Sequence, residues 1–253
     1  MDCFVPRDSI VRKIWGSADT ILFVFAGASA EFALNKAVDW LYFTGRLPAD
    51  PLARLFSTVA YAQKIVFANR AQALAAIDSI TAIHKGVEEK RGAKIPAWAY
   101  RDVLFMLVDY SIRAFELLER KLTVAEKEEA FDVFYQIGQR MGLEDLPGTY
   151  NEWLVMREEH LQQNLVRSRF TIHLHKQYRK HLGFIRYQLL KQVQVLITPA
   201  IVRKQLRLLN IPFLLPVVQL YKLSRKIKLD SLLKNAILPN AYKPQVKKLT
   251  IIA

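Results

Sequence analysis

Residues 51–92 read PLARLFSTVAYAQKIVFANRAQALAAIDSITAIHKGVEEKRG, and their spacing decides the fold. Asp50 stands where an N-cap carboxylate accepts first-turn amides, and Pro51 suits the first helical position. The helix begun there runs to about Asn69. In a second helix Leu74, Ile77, Ile80 or Thr81, His84 and Val87 recur at steps of three and four residues, so one face carries them all. That face is apolar apart from His84, which points where a leucine is expected. On this pattern His84 reads either as a core histidine satisfied by a hydrogen bond or as a ligand. Arg54 and Thr58, at i and i+4 on the preceding helix, share a face of their own.

Working outward, nearly every segment has the helical period and strand-like alternation is scarce, which predicts an all-α chain. Asp8-Ser9 signals a short first helix. A long apolar helix is expected from about Ser17 to Phe43, since TILFVFAGASAEFALNKAVDWLYF is cut by Glu31, Lys36 and Asp39 and reads as a core helix, not a membrane span. Pro96 opens a helix with Val103, Met106, Leu107, Tyr110 and Ala114 as its apolar stripe. Thr123 and Glu126 have capping-box spacing, Gly142 stops that helix, and another starts near Thr149 or Asn151. Beyond Arg167 basic amphipathic helices are punctuated by Pro199, Pro212, Pro216, Pro239 and Pro244. No repeat or flexible linker interrupts residues 1–253, so one multi-helix domain with a basic subregion over 161–253 is expected.

The chain has 253 residues, a net charge of +14 and a single cysteine, Cys3, which fits a reducing compartment. The N-terminus lacks the pattern of a secretory signal, so a cytoplasmic protein is expected. Charge is polarised: residues 161–253 carry 18 Lys and Arg against one acid, Asp230. Stretches such as RYQLLKQVQVLITPAIVRKQLRLL (186–209) and LLPVVQLYKLSRKIKLDSLLK (214–234) pair aliphatic and basic residues. They suit peripheral contact with an anionic membrane, or simple packing on a helical core. No helix-turn-helix, zinc finger or aromatic-rich sheet signature supports specific nucleic-acid binding. There is likewise no glycine-rich phosphate loop, GxSxG elbow, paired-cysteine zinc pattern or HExxH. In TIHLHKQYRKH, His173 and His175 lie about 200° apart on a helix and do not converge on a metal.

The stretch LARLFSTVAYAQKIVFANRAQALAAIDSITAIHKGV resembles the catalytic domain of the family that includes the endoplasmic-reticulum-bound oxygenase of mycophenolic acid biosynthesis and the bacterial rubber oxygenases, or latex clearing proteins. The matching residues are Arg54, Leu55 and Thr58, then Ala76, Ile80, His84 and Val87. LFMLVDYSIRAFELL is similar to the family's next signature helix through Leu107, Val108, Asp109, Ala114, Phe115 and Glu116. AEKEEAFDVFYQIGQRMGL resembles the one after it. The similarity is strongest over residues 15–160.

The resemblance implies a helical fold enclosing haem b, with His84 as axial iron ligand and Arg54 and Thr58 lining the haem pocket in catalytic and cofactor-binding roles. It implies O₂ and an apolar, isoprenoid-like small molecule as partners. Four residues depart from the family's pattern. Leu34-Asn35 stands where many bacterial relatives carry His-Pro, Leu104 where they carry His, and Ser57 where the rubber oxygenases place a lysine. Two functions therefore stay open: a haem-dependent oxygenase, and a haem-free member serving as an interaction module at a membrane or protein surface. The substrate, the sixth haem ligand and the oligomeric state are not legible in the sequence.

Overall fold

A computed structural model describes residues 2–209 and 211–226. The chain enters through α1 (Ile10–Trp15), where the Ser9 hydroxyl accepts from the Val11 amide at 3.0 Å. It continues into α2 (Ala18–Phe32), capped by Ser17. The single helix expected over 17–43 is interrupted here, and α3 (Val38–Phe43) is a separate element. The break is held from far along the chain. The Asn35 carboxamide donates to Asp102 at 2.7 Å and accepts from the Ala37 amide at 2.8 Å. The Val166 amide donates to the Leu34 carbonyl and the Lys36 amide to the Asn164 carbonyl, at 2.7 and 2.9 Å. These partners satisfy the chain where the helical ladder stops, and turn it.

After α4 (Arg46–Ala49) come the two helices of the decisive stretch, α5 (Pro51–Phe67) and α6 (Arg70–Arg91). Asp50 caps α5 by accepting from the Ala53 amide at 2.9 Å, with Pro51 in the first turn. Asn69 caps α6 in the same way, and Gly92, at φ 67°, ends it in the left-handed conformation that glycine adopts without penalty.

Helix α7 (Ala97–Leu118) is the centre of the molecule. It is buried on nearly all sides, wider than the stripe its sequence suggests, although Val103 itself lies 39% exposed. Its main partner is α2, and closeness comes from Gly27, where a Cβ would stand 2.2 Å from the Tyr110 ring. Around this pair pack α8 (Val124–Arg140), with the Thr123–Glu126 capping box formed, and α9 (Tyr150–Gln163), capped by Thr149. Trp15, Phe105, Phe131 and Trp153 fill the core between them. Burying each such side chain contributes about 1.5–3 kcal/mol.

The basic subregion begins with α10 (Arg169–Ile197), which Gly183 kinks at φ 73° and ψ 173°. It continues through α11 (Ala200–Leu206) and α12 (Leu215–Lys226). The Tyr221 hydroxyl donates to Asp19 at 2.5 Å and ties α12 to the start of α2. The rest of the basic stretch, 227–253 with Asp230, Pro239 and Pro244, lies outside the described residues. The described residues are all-α, their only β features being isolated bridges Cys3–Asn69 and Asn35–Leu165. Among them no helix is long and apolar enough to cross a membrane.

Candidate functional site

The hairpin of α5 and α6 sets the first half of one helix beside the second half of the other, because only two residues join them. Arg54 comes within electrostatic reach of His84 in this way, and Thr58 is hydrogen-bonded to Arg54. Arg54 Nη1 donates to Ser57 Oγ at 3.1 Å and to Thr58 Oγ1 at 2.9 Å, while both hydroxyls donate back to the Arg54 carbonyl. The guanidinium is thus fixed by its own helix. Its charge reaches His84, whose pKa is lowered by burial first and by Arg54 second, with Glu88 acting in the opposite direction. The imidazole is therefore neutral at pH 7, the form that ligates iron.

The apolar stripe of α6 is fully covered at Ala73 and Ile77 but only half covered at Ile80, Thr81, His84 and Val87. His84 sits in that half-covered end and packs edge-to-face on Tyr100, with ring centroids 5.1 Å apart. Its Nδ1 is buried and has no hydrogen-bond partner among the described residues. The satisfied-core reading of this histidine requires such a partner. An orphaned imidazole nitrogen is costly, and a buried polar atom of this kind calls for an explanation in terms of a ligand, water or ion.

Two residues that the sequence reasoning missed complete the surroundings. Glu88, one turn after His84, accepts from the Tyr100 hydroxyl at 3.1 Å and from the Ile95 amide at 2.9 Å. It anchors the aromatic ring that faces His84. The Tyr100 phenol is held protonated, its pKa raised by burial and then by the Glu88 charge. The i, i+4 spacing of His84 and Glu88 was the available signal, and Tyr100 carried none. Further along α6, Arg91 pairs with Asp39 at 2.6 Å and lies 3.9 Å over the Trp40 ring, tying the His84 end of the helix to α3.

The departures from the family's pattern have structural roles. Leu34 and Leu104 are buried in apolar clusters. Asn35 holds the break after α2, and Ser57 holds Arg54. Histidines elsewhere are engaged separately: His173 with Tyr42 at 3.0 Å, His175 with Tyr187 at 3.1 Å, and His160 with Asp102 while stacked on Phe105. Among the described residues no group of three or more His, Cys, Asp or Glu side chains could hold a metal ion. A haem iron asks less of the protein, since the porphyrin supplies four nitrogens and a single imidazole suffices. A neutral imidazole with a nitrogen left without a partner among the described residues, within reach of a fixed guanidinium, fits that demand.

A second polar assembly lies deeper. Arg157 forks onto Glu31 with both contacts at 2.6 Å and reaches Asp109 at 3.0 Å. Tyr110 donates to Glu31 at 2.8 Å, and Arg113 to Asp109 at 2.6 Å. With two cations against two carboxylates, this network balances its charge, Arg113 contributing from its exposed edge, and joins α2, α7 and α9.

The profile of the family described as ER-bound oxygenase mpaB/B'/rubber oxygenase, catalytic domain, matches residues 14–217. The match runs well beyond residue 160 and takes in α10 and α11. Searches of curated proteins and of solved structures found no match.

Proposed function

The chain belongs to the mpaB and rubber oxygenase catalytic-domain family, and from that membership we propose that it is a haem b-dependent oxygenase acting on an apolar, isoprenoid-like small molecule. The observation that carries the reading is the buried Nδ1 of His84, unpartnered among the described residues, at the half-covered end of α6. His84 would ligate the haem iron, and Arg54 with its bound Thr58 would lie nearby. Bound there, haem supplies the activation of O₂ and the redox chemistry that no side chain offers.

The chain's own residues supply charge and position. Burial and the Arg54 charge keep a proton off His84, so the ring remains available as a ligand at neutral pH. Arg54, fixed by Ser57 and Thr58, presents a positive charge suited to pairing with a propionate carboxylate. Tyr100, held by Glu88, blocks one edge of the imidazole and limits its rotation.

The test is the absorption spectrum of full-length protein purified from haem-supplemented cells. A Soret band is expected, and it disappears in His84→Ala while the helical circular dichroism is retained. A colourless wild-type protein that takes up no added haemin would refute the proposal and favour the haem-free interaction module.

A further inference from the structure

Away from His84, the Gly183 kink folds the two arms of α10 toward each other, and a cleft of about 310 Å³ opens between them and the end of α11. Five cationic side chains line it: Arg167, Lys176 and Arg179 from before the kink, Lys191 from after it, and Arg207 from the end of α11. Among the described residues no acid lines the cleft, and none of the five lies within ion-pair distance of a carboxylate. Elsewhere arginines such as Arg91, Arg120, Arg140 and Arg157 pair with carboxylates. Gathering five like charges without a counter-ion is unfavourable for folding alone.

Two further features point to a ligand. Arg207 adopts φ 55° and ψ 42°, a left-handed conformation that glycine or asparagine would take at lower cost by about 1 kcal/mol. Its side chain lines the cleft despite that strain. Within the cleft, His175 Nε2 and Gln192 Oε1 are buried without hydrogen-bond partners among the described residues. His175 is already oriented by its Nδ1 contact to Tyr187 across the kink.

We infer that this cleft binds a phosphate-bearing ligand through Arg167, Lys191 and Arg207. A phosphate group offers the multiple acceptor oxygens and double charge that such a cluster matches. His175 Nε2 and Gln192 are placed to receive the less charged part of the ligand. Exposed apolar side chains also line it: Ile172 and Leu209 are 47% and 67% exposed. Phosphate chemistry together with these apolar side chains suits a phospholipid headgroup, and a free phosphate ester has the same phosphate chemistry. The inference does not depend on haem at His84.

Two binding measurements on the full-length protein test it: calorimetric titration with pyrophosphate, and flotation with phosphatidylcholine vesicles containing or lacking phosphatidic acid. Wild-type protein binds at least one phosphate probe; flotation only with phosphatidic acid identifies a lipid source, and binding of pyrophosphate alone a soluble one. Arg207→Gly, whose backbone is relieved and whose fold is retained, and Lys191→Gln each weaken binding by about tenfold or more. Lys94→Gln, an exposed charge outside the cleft, leaves binding unchanged. Absence of binding by wild type, or losses in the cleft variants no greater than in Lys94→Gln, overturns the proposal.

Discussion

The Tyr110 ring occupies the space where a side chain on Gly27 would begin, with Cδ1 only 2.2 Å from an ideal Cβ at that glycine. This contact sets the approach of α2 to α7, the pair on which the core is built. Gly27→Ala must therefore part the helices or displace a fully buried ring that is tied by its hydroxyl to Glu31. The helix propensity gained from alanine, about 1 kcal/mol, is smaller than the overpacking cost of about 1–3 kcal/mol or more. Chemical denaturation should show net destabilisation. A variant as stable as wild type would mean that the interface yields easily.

Arg157 pairs with two buried carboxylates at once. Arg157→Met leaves Glu31 without its forked partner and Asp109 with only Arg113. Breaking a buried pair in this way costs about 3–5 kcal/mol. The loss should appear as a large drop in the denaturation midpoint. Glu31→Gln combined with Arg157→Met recovers part of it, because less unpaired charge remains buried.

His175 supplies a pH signature. Burial first, then the Lys191 and Arg167 charges, holds its pKa down to about 4 from 6.5. Between those two values the unfolded chain binds this proton and the folded chain does not, so stability falls as pH drops from about 6.5 to about 4. The ceiling of this contribution is about 3 kcal/mol, trimmed by solvent at the mouth of the cleft. Stability measured against pH should fall more gently over this window in His175→Gln than in wild type.

The charges around His84 act on it in opposite directions. Removing the lowering influence in Arg54→Gln raises its pKa, and removing the raising influence in Glu88→Gln lowers it further. Ring-proton titration by NMR in haem-free protein measures both changes. Identical titration in the three proteins would show that burial alone sets the imidazole's charge.

Local chemistry made most helix boundaries readable. Asp50 with Pro51, Thr123 with Glu126, and Thr149 each cap a helix within three residues of themselves, and no distant contact is needed to satisfy those first amides. His84 was legible for a related reason, since a three-to-four-residue period places it on the apolar stripe whatever packs there. The interruption after α2 was not legible. Apolar periodicity runs straight through residues 33–37, and what stops the helix is Asp102, 67 residues away, gripping Asn35.

The same division separates the polar sites. Sequence alone determined an all-helical chain, its family, a histidine facing inward and a strongly basic final third, because helix period, capping and net charge depend on neighbours along the chain. Tertiary structure decided that His84 keeps a nitrogen unpartnered among the described residues, that Glu88 and Tyr100 frame it, that Arg157 forks onto Glu31 from 126 residues away, and that five cations converge on one cleft. Burial and charge proximity are set by which helices pack together, and a hinge as small as Gly183 redirects them without leaving a periodic trace.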